Sequence, residues 1–173
     1  MEVAASMSQD QRQAFAELLQ RHRGLVFKVA NSYANNPDDR AELAQEIAAQ
    51  LWRAWGSYDP RRPLATWMYR IALNVGISHL RSRSRADAHM VPLEAFEHDA
   101  ADVADVAGEP EQAQQLRLLQ RVIARLDPLS RALLLLYLDE RSQREIGEIL
   151  GISESNVSTR ISRLKQRIRN ELT

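Results

Sequence analysis

The stretch Leu64–Arg85, LATWMYRIALNVGISHLRSRSR, decides the fold. At about 100° per residue, Leu64, Met68, Ile71 and Val75 fall on one side of a helix, and Tyr69, Leu73 and Leu80 fall roughly opposite. A helix that is apolar on two sides is sandwiched between others. Between those sides runs a narrow stripe of Arg70, Asn74 and Arg81, with Trp67 and Arg85 at its edge. From Arg61 to Arg85 there are six arginines and no acid, so the stripe is suited to an anionic partner.

Outward from this helix, the formal charge of the whole chain is +0, yet it is segregated. Ala86 to Leu116 holds eight acids and no lysine or arginine, whereas Ser155 to Asn170 holds five basic residues and no acid. Two basic segments therefore flank an acidic one, a layout that accommodates a nucleic-acid partner despite the neutral sum. At 173 residues with 45% apolar content, one ordinary domain or two small ones can close a core. Cysteine is absent, which excludes disulfides, thiolate metal sites and a cysteine nucleophile. No apolar run approaches the roughly 20 residues of a membrane span, and MEVAASMSQDQ lacks the layout of a signal peptide. The expectation is a soluble cytoplasmic protein with no membrane insertion.

Upstream, Ser8-Gln9-Asp10-Gln11 predicts a capped first helix through Phe15, Leu18 and Leu19, followed by a second apolar stripe at Leu25, Val26, Val29 and Ala30. Pro37 and two aspartates open the next helix, DDRAELAQEIAAQLWRAW. Its Leu43, Ile47, Leu51 and Trp55 share one face, and Glu42, Gln45, Glu46, Gln50 and Arg53 lie on the other. The Pro- and Gly-containing segment from Gly56 to Pro63 then forms a rigid loop into the arginine-striped helix. Downstream, periodicity fades from Ala86 to Gly108. As a flexible coil of about 23 residues this acidic linker averages roughly 25 to 30 Å end to end and reaches roughly 75 Å when extended. Lying between two basic faces, it is also suited to fold back on them and restrain the free protein.

After Pro110 the pattern predicts a helix with Leu116, Leu119, Ile123 and Leu126, and another capped by Asp127 with Pro128 in its first turn. Ser142-Gln143-Arg144-Glu145 is a capping box for a short helix, Gly151-Ile152-Ser153 is a tight turn, and Ser153 caps a final helix. That helix has Val157, Ile161, Leu164 and Ile168 on its core side. A short capped helix, a glycine turn and a second capped helix make a helix-turn-helix, whose second helix enters the major groove. Its outer face carries Ser155, Thr159, Ser162 and Gln166, flanked by Asn156, Arg160, Arg163 and Arg167. Arginine and asparagine have the forks that read guanine and adenine edges, whereas Arg144 and the later arginines are placed to hold phosphates. The helix at Leu64 is too apolar on two sides to lie deep in a groove, and its stripe suits partly opened DNA. Trp67 and Tyr69 read as core residues, the pattern leaves Asn74 equally suited to a structural or a reading role, and Arg61, Arg62, Arg81, Arg83 and Arg85 read as facing phosphates.

These residues bring the chain to a known family. ELAQEIAAQLWRAW followed by YDPRRPLATWMYRIALNVGISHLRSRSR resembles region 2 of bacterial extracytoplasmic-function (group IV) sigma factors, and RLDPLSRALLLLYLDERSQREIGEILGISESNVSTRISRLKQRIR resembles their region 4. The resemblance runs from about Phe15 to Leu172, in the family's order. It implies an all-α fold of two small helical domains: residues 8–85, a region 2-like bundle, and residues 110–173, a region 4-like helix-turn-helix, joined by the acidic linker 86–109. It implies a dissociable RNA polymerase subunit that recruits core enzyme to promoters and helps open the DNA.

Carried onto matching positions, the resemblance implies that Glu42, Gln45, Glu46, Gln50 and Arg53 dock on the clamp helices of the largest polymerase subunit. Arg61, Arg62, Thr66, Arg70, Asn74 and Arg81 would face the minus-10 element and its melted strand. Arg144, Asn156, Ser158, Thr159, Arg160, Ser162 and Arg163 would face the minus-35 duplex. The two elements are separated by a gap on the order of 60 Å at duplex rise, within the linker's extended reach. Ser78 stands where the family often has Asp, and Asn156-Val157-Ser158-Thr159-Arg160 replaces a frequent Thr-Val-Lys-Ser-Arg, so promoter preference can differ. Partners are core polymerase and promoter DNA, with an anti-sigma factor as the kind of protein that would regulate the chain. No cofactor, metal or catalytic residue is expected: His22, His79, His89 and His98 show no Glu-x-x-His spacing, and phosphate loops and nucleophile elbows are missing. A free-standing duplex-binding regulator would need only the C-terminal half, and an adaptor would not need two arginine faces.

Overall fold

Ser8 starts the first helix as its sequence implies. The Ser8 hydroxyl accepts from the Gln11 amide (3.3 Å), and the Gln11 side chain accepts from the Ser8 amide (3.0 Å), a complete capping box. The computed structural model describes residues 7–89 and 110–172, with side chains described outside 84–89. In those residues eight helices follow one another: α1 Gln9–Arg21, α2 Arg23–Tyr33, α3 Pro37–Trp55, α4 Leu64–His89, α5 Glu111–Arg125, α6 Pro128–Leu138, α7 Gln143–Leu150 and α8 Glu154–Leu172. There is no strand among them, in agreement with the all-α expectation.

Local chemistry sets most boundaries. Asn36, placed before Pro37, accepts from the Asp39 amide at 2.9 Å and donates to the Asp39 carboxylate at 3.0 Å. Asp127 caps α6 through Ser130, Ser142 caps α7 through the Glu145 amide, and Ser153 accepts from the Asn156 amide at 3.1 Å. The box at Ser142 closes on one side only: Glu145 takes the Ser142 hydroxyl (3.3 Å) and the Arg141 guanidinium (3.5 Å) in place of a backbone N–H. Gly151 ends α7 in the left-handed region (φ 72°), which a side chain would resist. Helix α4 runs four residues past Arg85, so the expected boundary at 85 falls inside a helix.

Helix α4 is sandwiched, as its two apolar sides require. It packs against α2 and α3, and also against α6 and α7 of the C-terminal half. Met68, Tyr69, Ala72 and Leu73 are buried, while Leu64, Ile71, Val75 and Leu80 are half-buried. The two small helical domains pack on each other, so that one hydrophobic core runs from Val29, Leu43, Ile47 and Leu73 to Leu133, Leu136, Ile146 and Val157. The second apolar side of α4 supplies the reason, since it would otherwise lie in water. Residues 90–109 of the acidic linker, and with them the idea that it folds back on the basic faces, lie outside the described residues.

Candidate nucleic-acid interface and docking face

The helix-turn-helix is built tightly enough to fix its second helix. Gly147 of α7 lies under the turn, where a Cβ would come within 2.7 Å of the Ile152 carbonyl oxygen. The Ile152 amide returns to the Gly147 carbonyl at 3.1 Å. Val157, Ile161 and Leu164 bury the inner side of α8, and Ile168 is half-buried. The outer face then stands in solvent as the spacing predicted: Ser155, Thr159, Arg160, Ser162, Arg163, Gln166 and Arg167 are exposed, and Asn156 and Ser158 are half-buried. Arg160 donates from Nε to the Asn156 amide oxygen at 2.9 Å, which presents the two groups as a unit. Thr159 bonds back to the Ser155 carbonyl (3.1 Å), keeping its hydroxyl close to the helix. Arg144 is exposed on α7, beside Glu148 at 3.5 Å.

The α4 stripe is narrower. Arg70, Asn74 and Arg81 are exposed along one line, and Thr66 is half-buried in the first turn. The loop before the helix is held by aromatic packing that sequence spacing did not reveal. Trp55 stacks on Tyr58 (5.7 Å, 12° between planes), and Tyr58 meets Trp67 at 4.8 Å. Tyr58 also donates its hydroxyl to the Arg62 carbonyl (2.7 Å), and Asp59 accepts from the Arg61 amide and side chain at 3.0 and 3.2 Å. Those hydrogen bonds from Arg61 hold the Asp59 carboxyl below its ordinary range. The loop is therefore preshaped, with Arg61 and Arg62 on its surface. One assignment needs correction: Arg83 does not point freely to a phosphate but pairs with Asp39 at the start of α3, tying the two helices together. Tyr69 is buried as expected, and Trp67 sits half-buried in the aromatic cluster.

On α3, Glu42, Gln45, Glu46 and Arg53 are exposed and Gln50 is half-buried, opposite buried Leu43, Ile47 and Leu51. Gln50 donates to Glu46 at 3.2 Å. Beside Gln45 an open cavity of about 450 Å³ lies between α1, α2 and α3, lined by Leu19, Val26, Phe27, Ala44 and Ala48. The five residues thus share a continuous polar face next to an apolar hollow. No described helix is long and apolar enough to cross a membrane, and no cluster of three or more His, Asp or Glu suited to a metal occurs among the described residues.

Described residues without a strand, an exposed recognition helix that carries no acid from Ser155 to Asn170, and a second, arginine-striped helix define a DNA-binding transcription protein. Sigma-70 region 2 matches residues 18–86, and Sigma-70, region 4 matches residues 116–168. The chain is 30% identical to the ECF RNA polymerase sigma factor SigW of Bacillus subtilis (strain 168), over 92% of this chain and 89% of the relative. It is 31% identical to the ECF RNA polymerase sigma factor RpoE of Cereibacter sphaeroides, over 92% and 87%. Among solved structures it is similar in fold to CnrH in complex with the cytosolic domain of CnrY (TM-score 0.67, 22% identity, 99% of this chain and 92% of that one). It is likewise similar to RpoE in complex with the anti-sigma factor NepR from Bartonella quintana (TM-score 0.69, 21% identity, 92% and 97%). The chain belongs to the extracytoplasmic-function RNA polymerase sigma factors of the sigma-70 family, and it directs core RNA polymerase to promoters for transcription initiation.

Proposed function

We propose a division of labour within this sigma factor. Residues 8–85 dock on core polymerase and engage the minus-10 element, residues 110–173 read the minus-35 duplex, and residues 86–109 link them. Glu42, Gln45, Glu46, Gln50 and Arg53 meet the clamp helices of the largest subunit. Arg61, Arg62, Thr66, Arg70, Asn74 and Arg81 hold the opened minus-10 strand: the arginines take phosphates, and the Asn74 amide is placed to bond an unstacked base. Arg160 with Asn156, and Ser158, Thr159, Ser162 and Arg163, read the duplex, with Arg144 on the backbone. The chain acts in the cytoplasm as an initiation factor with no reaction of its own. One solved structure of similar fold is of RpoE in complex with the anti-sigma factor NepR, and an anti-sigma factor is the corresponding partner here.

The observation that carries this reading is the exposure of three distinct faces, on α3, α4 and α8, each backed by a buried apolar side. Run-off transcription with purified core polymerase on genomic templates tests it. Core-dependent transcripts from discrete start sites are expected, whereas binding of duplex DNA without any stimulated transcription would overturn it.

A further inference from the structure

Polar groups on the outer face of α8 are partly committed to one another, and what they leave uncommitted decides which base edges the helix can read. Arg160 donates from Nε to the Asn156 amide oxygen (2.9 Å), one helical turn back. Asn156 is held in turn, because its backbone amide donates to the Ser153 hydroxyl at 3.1 Å and the residue is half-buried in the first turn. An asparagine reads adenine by accepting from N6 and donating to N7 with one amide. With its oxygen given to Arg160, Asn156 lacks that pairing. The guanidinium keeps its two terminal nitrogens for a partner, and their parallel N–H groups match O6 and N7 of guanine. Arg144 and Arg167 are held by carboxylates instead, Glu148 at 3.5 Å and Glu171 at 3.2 Å, which offset their charge locally. Arg160, held by a neutral amide, keeps its whole charge. Thr159 is committed as well. Its hydroxyl donates to the Ser155 carbonyl at 3.1 Å, so what it offers outward is its methyl. Ser155 and Ser162, one turn to either side, are exposed and short, which lets a groove floor approach that methyl. The major groove presents one apolar group, the C5-methyl of thymine.

We propose that the duplex read by α8 contains a thymine whose methyl packs on the Thr159 methyl and, within the same few base pairs, a guanine gripped by Arg160, and that Asn156 is a positioning residue for Arg160 and not itself a reader. This preference rests on the assignment of α8 to the minus-35 duplex, and it adds to that assignment the bases themselves. Fixing Nε on Asn156 removes rotamer freedom from a long side chain before DNA arrives, so less is lost when the fork closes on guanine. An unheld arginine would as readily take a phosphate, which carries no sequence information. The methyl contact excludes water from one position of the groove and discriminates against cytosine, which has no methyl at C5. Both contacts come from the first two turns of α8, the part of a recognition helix that reaches base edges.

Holoenzyme assembled from the full chain and purified core polymerase selects its preferred minus-35 duplex from a randomised pool, and single groups of that duplex are then changed. Selection of a site containing guanine and thymine is expected. Replacing that thymine by uracil removes only the methyl and should weaken binding about threefold to fivefold. Replacing the guanine by 7-deazaguanine removes the N7 acceptor and should weaken binding about tenfold. Thr159→Ser should abolish the distinction between thymine and uracil, and Thr159→Val should keep it, the reverse of what a reading role for the hydroxyl would give. Asn156→Ala should reduce the preference for guanine over 7-deazaguanine to about threefold and relax no second base pair. Asn156→Asp keeps an acceptor for Nε and should restore that preference. Indifference of the unaltered holoenzyme to uracil and to 7-deazaguanine at every position would overturn the base assignments and leave the division of labour standing. Loss of preference at a second base pair in Asn156→Ala would overturn the positioning role. Selection of no minus-35 sequence, with core-dependent transcripts still made, would overturn both, so the two failures are distinguishable.

Discussion

The two DNA-facing helices differ in how they are supported. Helix α8 buries one side on α6 and α7 and leaves a broad face of short hydroxyls, Asn156 and arginines in water. Helix α4 is covered by α2 and α3 and again by α6 and α7, leaving only the line of Arg70, Asn74 and Arg81. A broad convex face can enter a duplex groove. A stripe between two covered sides can only touch what is brought to it, such as a displaced strand beside the preshaped loop at Tyr58–Arg62. On the proposed division of labour, the same chemistry, arginine with asparagine, serves two tasks.

The largest effect should come from breaking the support of α8 alone. Gly147→Ala forces a Cβ against the Ile152 carbonyl oxygen at 2.7 Å, and because that oxygen belongs to the backbone of the turn the contact cannot relax cheaply. A loss of about 2–3 kcal/mol in stability and near-complete loss of duplex binding are expected, read by thermal unfolding and electrophoretic shift. Binding to core polymerase should survive, because α3 is untouched. Next is Arg160→Ala, which removes a guanidinium and releases Asn156. Duplex affinity should fall about tenfold or more at the minus-35 element, with relaxed preference at one base pair. Asn74→Ala should act at a different step: core binding and closed-complex affinity are retained, and permanganate-reactive promoter opening falls several-fold. Loss of core binding in that variant would show the stripe to be misassigned.

The smallest expected effect concerns acid. Burial alone would raise the Asp139 carboxyl, but hydrogen bonds from Lys28, Arg141 and Tyr69 outweigh it and hold it at about 2. A depressed carboxylate contributes stability that is present above its unfolded value, near 3.8, and is lost as pH falls through about 2. The shift corresponds to about 2 kcal/mol, part of which Arg141 supplies within the C-terminal half itself. Asp139→Asn should therefore flatten the loss of stability between pH 4 and 2, followed by thermal unfolding across that range.

Periodicity made much of this legible. The inner sides of α3 and α8 follow from apolar spacing alone, and the caps at Ser8, Asp127, Ser142 and Ser153 follow from side chains that answer free N–H groups. The second apolar side of α4 announced a cover without saying what supplied it. That information is long-range: Lys28 meets Asp139 across 111 positions, and Tyr69 meets it across 70. Charge segregation misread Arg83 for a related reason, since its partner Asp39 lies 44 residues upstream. The stacking of Trp55, Tyr58 and Trp67 was equally hidden, because aromatic pairing depends on where a loop returns and not on its spacing.

The contrast between the helices is tested most directly by assembling holoenzyme with Arg160→Ala or Asn74→Ala and following duplex binding and strand opening on one promoter. The expected result is a double dissociation: Arg160→Ala weakens duplex binding while the complexes that form still open, and Asn74→Ala binds normally but opens poorly. If both variants fail at the same step, the two helices do not divide the work as their packing implies.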